Sequence, residues 1–159
     1  MNSKEKTKTS LRKYNKEDYD QVADWWKKTG WEPFPSKYLA EGLIVDGICA
    51  GFINLGSTSP MGYIWPVISN PESNLRERDR ALDEMIQGLI QMGRDAGCDF
   101  IYATTSASAL QKRYIKRHGM YLADDKIVGL LLPLDGAEGE SFDSVIDDKY
   151  LPDFNKQES

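Results

Sequence analysis

The sequence has very little of what builds covalent or metal frameworks: 2 cysteines and 1 histidine in 159 residues. Cys49 and Cys98 stand far apart in apolar contexts, with no second pair to complete a metal cage, so both are expected to be buried, reduced thiols. No metal site is expected. Long hydrophobic runs are missing as well. The longest, IVGLLLPL at 127–134, falls well short of the roughly 20 apolar residues that span a bilayer, which excludes a spanning helix of that stretch. The opening MNSKEKTKTS has no apolar segment behind it and does not read as a signal peptide. A cytoplasmic protein with no membrane partner is the expectation. Repeats and low-complexity tracts are absent.

A charge excess is also missing from most of the chain. The net charge is −5, and residues 136–159 carry seven acids against two lysines, which accounts for all of it. Residues 1–135 are neutral in sum, so overall charge neither supports nor excludes a polyanionic partner. The acidic segment also holds Phe142, Val145, Ile146, Tyr150, Leu151 and Phe154, too many apolar groups for a wholly disordered tail, and part of it is expected to dock. The length suits one domain, expected over 10–135, between a polar leader (1–9) and the acidic extension (136–159).

What is present is regular patterning. Ser10 to Tyr14 reads as a strand, and Asn15 as the cap of a helix running to about Lys28, with Tyr19, Val22, Ala23 and Trp26 at helical spacing and Gly30 as its stop. WEPFP at 31–35 is a loop. GLIVDGICAGFINL at 42–55 reads as a hairpin with a two-residue turn at Asp46-Gly47. GYIWPVIS at 62–69 is a further strand, and Pro66 in its middle requires either an edge or a bulge, because proline cannot donate to a ladder. Leu82, Met85, Ile86, Leu89, Ile90 and Gly93 form one apolar helical stripe ending at Gly97. DFIYATT at 99–105 reads as an interior strand, LQKRYIKRH as a helix capped by Ser106 or Ser108 and ended by Gly119, and IVGLLLPL as the last strand. The order is that of an α+β domain with a mixed sheet, in which ligands sit beyond the carboxyl end of a strand that feeds a helix.

One such junction lies in ISNPESNLRERDRALDEMI at 68–86. A helix start offers unpaired amides and a partial positive charge. Arg76, Arg78 and Arg80 crowd it, opposing the macrodipole unless an anion offsets them. The alternative is that Glu72, Glu77, Asp79 and Asp83 neutralise them as surface pairs.

The element order, together with two motifs, resembles the Gcn5-related N-acetyltransferase (GNAT) superfamily. One motif is Arg76-Glu77-Arg78-Asp79-Arg80-Ala81, similar to Q/R-x-x-G-x-G/A with Asp79 in the place of the central glycine. The other is LQKRYIKRHGM at 110–120, similar to the helix and turn A-x-x-L-Y-x-x-x-G-F. Trp25-Trp26, the W-x-P loop and the SNP…R-x-x-A-L run also look like a divergent subgroup met in phages and mobile elements. The resemblance spans about residues 10–134. It implies a central mixed sheet with helices on both faces, and transfer of an acetyl group from acetyl-coenzyme A to an amine by direct attack. It implies a coenzyme site at Val67, Ile68, Ser69 and Asn70, at Arg76, Arg78, Asp79, Arg80 and Ala81, and at Ser108, in the place of an asparagine. The tyrosine acid of the superfamily falls on Ile115, with Tyr114 one residue earlier, so Tyr114 is the candidate acid. Trp65 and Tyr63 are candidates for the acceptor side, with core packing as the alternative.

Glu32 in the WEPFP loop is the candidate base. His118, at a helix end, reads as dipole stabilisation rather than as a base, and Cys49, mid-strand, is not a nucleophile. The acceptor is a small-molecule or protein amine, and a homodimer is compatible with the aromatic tail. Two other readings stay open: a degenerate acetyltransferase fold that binds without catalysis, and a nucleic-acid-modifying enzyme using KRYIKR at 112–117.

Overall fold

A sheet buried on both faces and helices that turn an apolar side to it assemble a three-layer unit in the computed structural model, which describes residues 10–56, 58–124, 126, 132 and 134. The strands are β1 (Leu11–Lys13), β2 (Glu41–Val45), β3 (Cys49–Leu55), β4 (Met61–Ser69) and β5 (Phe100–Ala103), and the helices are α1 (Tyr19–Lys28), α2 (Leu75–Asp95) and α3 (Ser108–His118). The sheet order follows the sequence, β1-β2-β3-β4-β5. Pairing is antiparallel except between β4 and β5, which run parallel and are joined through α2. This is the α+β architecture that the sequence pattern implies. DFIYATT becomes β5, which closes the order among the described residues rather than lying inside it.

Each face buries its own cluster. Val22, Trp25 and Trp26 of α1 pack on Ile44, Ala50, Phe52 and Ile68. On the other face Ala81, Met85, Ile86, Leu89 and Ile90 of α2 and Tyr114 of α3 pack on Leu43, Val45, Cys49, Ile53 and Ile64. Burying side chains such as Met85, Ile86 and Leu89, all wholly inaccessible, stabilises by about 1.5–3 kcal/mol each. A 3-10 turn, Lys16–Asp18, precedes α1. There the Asp18 carboxylate accepts the Asn15 N–H at 2.8 Å and both Arg12 terminal nitrogens.

Two local readings are corrected. In the β2–β3 hairpin Val45 pairs with Cys49, so the turn has three residues, 46–48. Only Gly47 takes a positive φ, +73°, and a two-residue type I′ turn would need Asp46 to do so as well. At the start of α3 neither serine caps: the chain enters at Ala107 in extended conformation, and the Thr105 hydroxyl accepts the Ala107 N–H. The C-terminal end of α3 follows the expectation, with Gly119 at φ +71° and the Met120 N–H returning to the Tyr114 carbonyl.

The chain divides into two compact units, Met1–Leu122 and Ala123–Ser159, and every element above belongs to the first. In the second the Asp124 carboxylate accepts the Lys126 N–H, and Leu132 and Leu134 are exposed. Apart from these two leucines, the strand expected at 127–134 lies outside the described residues, as does the segment 136–159.

Candidate active site

Pro66 decides the shape of the site. Between the pairs Gly51–Val67 and Ile53–Ile64 the register shifts, so that Trp65 and Pro66 oppose Phe52 alone. This is the bulge, not the edge, that a mid-strand proline permits. Pairing of β4 with β5 stops at the same place, at Ile64–Ala103. From there β4 has no neighbour on that side among the described residues. The Asn70 N–H donates to Ile48 on the β3 side. Strand alternation therefore turns the Ile68 amide toward β3 and the Val67 and Ser69 amides toward the gap.

Of the four β4-end residues, Val67 and Ser69 line the gap and the other two are engaged elsewhere. Ile68 is buried under α1. Asn70 is spent on the fold: its side-chain amide donates to Gly47, its Oδ1 accepts the Glu72 N–H, and its carbonyl accepts the Ser73 hydroxyl and, at 3.4 Å, Arg78.

The β4–α2 junction is capped by Asn74, whose Oδ1 accepts the amides of Arg76 and Glu77 at 2.9 and 3.3 Å while its carbonyl accepts that of Arg78. The whole run Arg76–Ala81 lies within α2. Backbone donors left at the junction are those of Asn74 and Leu75, which have no partner among the described residues. Ala81 is fully buried in the core. Arg76, Arg78 and Arg80 make no ion pair among the described residues. Three of the four carboxylates that the sequence offered them go elsewhere: Glu72 pairs with Lys28, and Asp79 and Asp83 with α3.

That last pairing is the densest polar cluster described. Arg113 reaches Asp79 and Asp83 at 2.7 Å each, Arg117 reaches them at 3.0 and 2.7 Å, and Arg113 also donates to the Asp79 carbonyl. Hydrogen bonds from Arg113 and then Arg117 hold the Asp79 carboxyl below the usual carboxylate range. For Asp83 burial pushes the other way, but the same two arginines outweigh it. Asp79, standing where the motif has glycine, thus turns its carboxylate to α3. The His118 ring, with its side chain 1% exposed, is held between Asp83 at 3.1 Å and Gln87 at 2.9 Å, a tie between helices rather than a base facing solvent. The sequence carried a signal for this clamp: 79/83 and 113/117 are both four apart, so each helix presents two like charges on one face.

On α3 the two candidate acid positions separate. Ile115 is 41% exposed, while Tyr114 is buried with its hydroxyl lacking a hydrogen-bond partner among the described residues. Burial, with a smaller contribution from the Tyr63 phenol, pushes the Tyr114 hydroxyl well above the ordinary tyrosine range, so it is protonated at neutral pH. Ser108 is exposed at the first turn of α3. Glu32 is exposed in a loop that Phe34 anchors edge-on against Trp65, ring centroids 4.8 Å apart. Cys49 is wholly inaccessible, and burial pushes its thiol up to about 12, which disqualifies it as a nucleophile.

Among known proteins, no protein-family model and no curated sequence matches the chain. Solved structures do. A predicted acetyltransferase with acetyl-CoA from Clostridium acetobutylicum is 18% identical with a TM-score of 0.54, covering 76% of this chain and 94% of its own. A putative acetyltransferase from Agrobacterium tumefaciens is 11% identical at 0.55, with 78% and 99% covered. An aminoglycoside N-acetyltransferase in complex with CoA is 12% identical at 0.50, with 77% and 98% covered. At such identities the likeness is one of fold. The chain has the α+β fold of the GNAT acetyltransferases, as its motifs and element order imply.

Proposed function

We propose that this protein is an acetyl-coenzyme A-dependent N-acetyltransferase that moves the acetyl group to an amine by direct attack on the thioester. The observation that carries the reading is the break between β4 and β5 past Ile64 and Ala103, with backbone donors on one side and three arginines at the adjoining helix start that make no ion pair among the described residues. These residues fit the coenzyme. Arg76, Arg78 and Arg80, with the amides of Asn74 and Leu75, would hold the pyrophosphate, Ser108 would serve the pantetheine side, and the Val67 and Ser69 amides would take the pantetheine and polarise the thioester oxygen. Tyr114 would give its proton to the departing thiolate, and Glu32 would accept one from the amine through water.

The direction of the Asp79 carboxylate favours this over a degenerate, binding-only fold: it is neutralised on α3 and leaves the helix start cationic. The same clamp weighs against a nucleic-acid reading, because Arg113 and Arg117 of KRYIKR are consumed within the protein.

The test is release of free thiol from acetyl-coenzyme A in the presence of amines, for the wild type and Tyr114→Phe. That substitution removes a buried hydroxyl with no partner among the described residues, so the fold should be as stable as before or slightly more so. We expect kcat to fall about a hundredfold with the midpoint of thermal unfolding unchanged. Unchanged kcat would remove Tyr114 from the reaction.

A further inference from the structure

On the face covered by α1, the sheet continues beyond that helix as a row of rings. Asn54, two residues on from Phe52, lies opposite Tyr63, and Tyr63 lies beside Tyr102 in the parallel ladder, so all three share one face. Trp65 is nearly parallel to Tyr63 (13°, centroids 6.4 Å apart), Tyr102 is 6.0 Å from Tyr63, Phe34 stands edge-on to Trp65, and Tyr38 is 6.1 Å from Phe34. Five rings from three segments are thus half-buried together. The loop side is held in place by the Tyr19 hydroxyl, which donates to the Phe34 carbonyl at 3.1 Å.

We infer that this ring surface is the acceptor subsite and that it takes a monoamine carried on an aromatic body, an arylalkylamine. The inference rests on the acetyltransferase reading of the neighbouring gap and adds the acceptor class. Position is the first argument. Tyr63 and Tyr102 are the paired neighbours one step before the ladder ends at Ile64–Ala103, so an aromatic body lying on Tyr63 and Trp65 reaches the gap with a short alkyl spacer. Polarity is the second. Around Tyr63 and Trp65 the described polar partners are neutral: the Tyr63 hydroxyl bonds Thr104 at 2.6 Å, and the Asn54 amide is turned to the Tyr63 and Trp65 carbonyls at 3.4 Å. Polycationic acceptors need several carboxylates to offset their desolvation; rings instead favour stacking with another ring.

The third argument is how the amine is made ready. Ring faces attract an ammonium group, and the chain's own Lys37 ammonium lies 4.9 Å from the Tyr38 ring centre. The rings therefore hold and orient the incoming ammonium, and removal of its proton is left to a base. Neutral amine is the form that attacks, and Glu32 would take the proton through water, as in the proposed reaction.

The experiment uses the full chain. Coenzyme A is titrated first, and phenethylamine, n-hexylamine, spermidine and kanamycin are then compared as acceptors with acetyl-coenzyme A, for the wild type, Trp65→Ala and Tyr102→Leu. We expect phenethylamine to exceed hexylamine in kcat/KM by about tenfold or more. Either substitution should reduce that advantage to about twofold or less, with coenzyme affinity unchanged. Equal turnover of hexylamine, better turnover of spermidine or kanamycin, or coenzyme binding with no arylalkylamine reaction would each overturn the inference, as would an advantage that survives both substitutions. If coenzyme A does not bind, the acetyltransferase reading fails by itself, and the ring site is judged by tryptophan fluorescence. Quenching by phenethylamine that disappears in Trp65→Ala supports the site, and no quenching in the wild type overturns it.

Discussion

Two sets of arginines, similar as sequence, have opposite fates. Arg113 and Arg117 on α3 are saturated by Asp79 and Asp83 and hold α3 against α2. Arg76, Arg78 and Arg80 on α2 lie close to those same carboxylates in the chain and have none of them. Helix geometry makes the division: Asp79 and Asp83 share the face turned to α3, while the other three side chains surround the start of the helix. A cation that is paired within the fold stabilises it; a cation left unpaired beside a helix start slightly destabilises the fold unless something outside the chain completes it. The first set is architecture, and the second is available for a ligand.

The comparison can be broken most forcefully at Arg113, whose side chain is 14% exposed. Arg113→Ala strips two half-buried carboxylates of their main partner and should cost about 2 kcal/mol or more in urea unfolding. A loss below about 0.5 kcal/mol would mean that the clamp is a surface ornament. Next in size is the opposite pattern. Replacing Arg76, Arg78 and Arg80 together by alanine should weaken coenzyme A binding by at least about tenfold, leave unfolding free energy within about 0.5 kcal/mol, and bring a small gain if the macrodipole argument holds. Comparable loss of stability in both variants would erase the distinction.

Acid sharpens the contrast further. Asp79 and Asp83 have folded-state carboxyl values below their unfolded ones, so their contribution is complete above the ordinary carboxylate value of about 4 and is lost as pH falls through the lowered values. The stability gap between the wild type and Asp79→Asn should therefore be flat from about pH 5 to 8 and close below about pH 4. A gap that stays open in acid would contradict the clamp. The smallest effect belongs to Arg117, 46% exposed, where alanine should shift urea unfolding far less than Arg113→Ala does, because solvent screens an exposed pair.

Much of the frame was readable because it is written in local rules. The Asp46-Gly47 turn, the stripe on α2, Gly119 at φ +71° and the need for an edge or a bulge at Pro66 each follow from one residue type in one pattern. The turn length and the α3 cap were misread, because an extended entry at Ala107 and a three-residue turn differ from their alternatives by little local energy. The allocation of the carboxylates was less legible for another reason. On one helix, Arg76 and Arg80 are natural partners for acids three or four residues away, and only the arrival of α3 gives Asp79 and Asp83 better ones. Asn70 shows the same limit: its loop position suggests a ligand contact, but its amide is drawn to the Gly47 carbonyl by a hairpin distant in sequence. Tyr114 could be named from its place in the α3 motif, but its burial with no described partner for its hydroxyl needed the packed core to become visible.

The central claim is that the helix start beside the β4–β5 gap is a pyrophosphate seat. It is tested most directly by calorimetric titration of the wild type with coenzyme A and with pantetheine, which lacks the pyrophosphate and nucleotide. The account predicts micromolar binding of coenzyme A, at least about a hundredfold weaker binding of pantetheine, and loss of most of that difference in the triple arginine variant. Absence of heat and of any thermal shift with millimolar coenzyme A, or equal affinity for the two ligands, would contradict it.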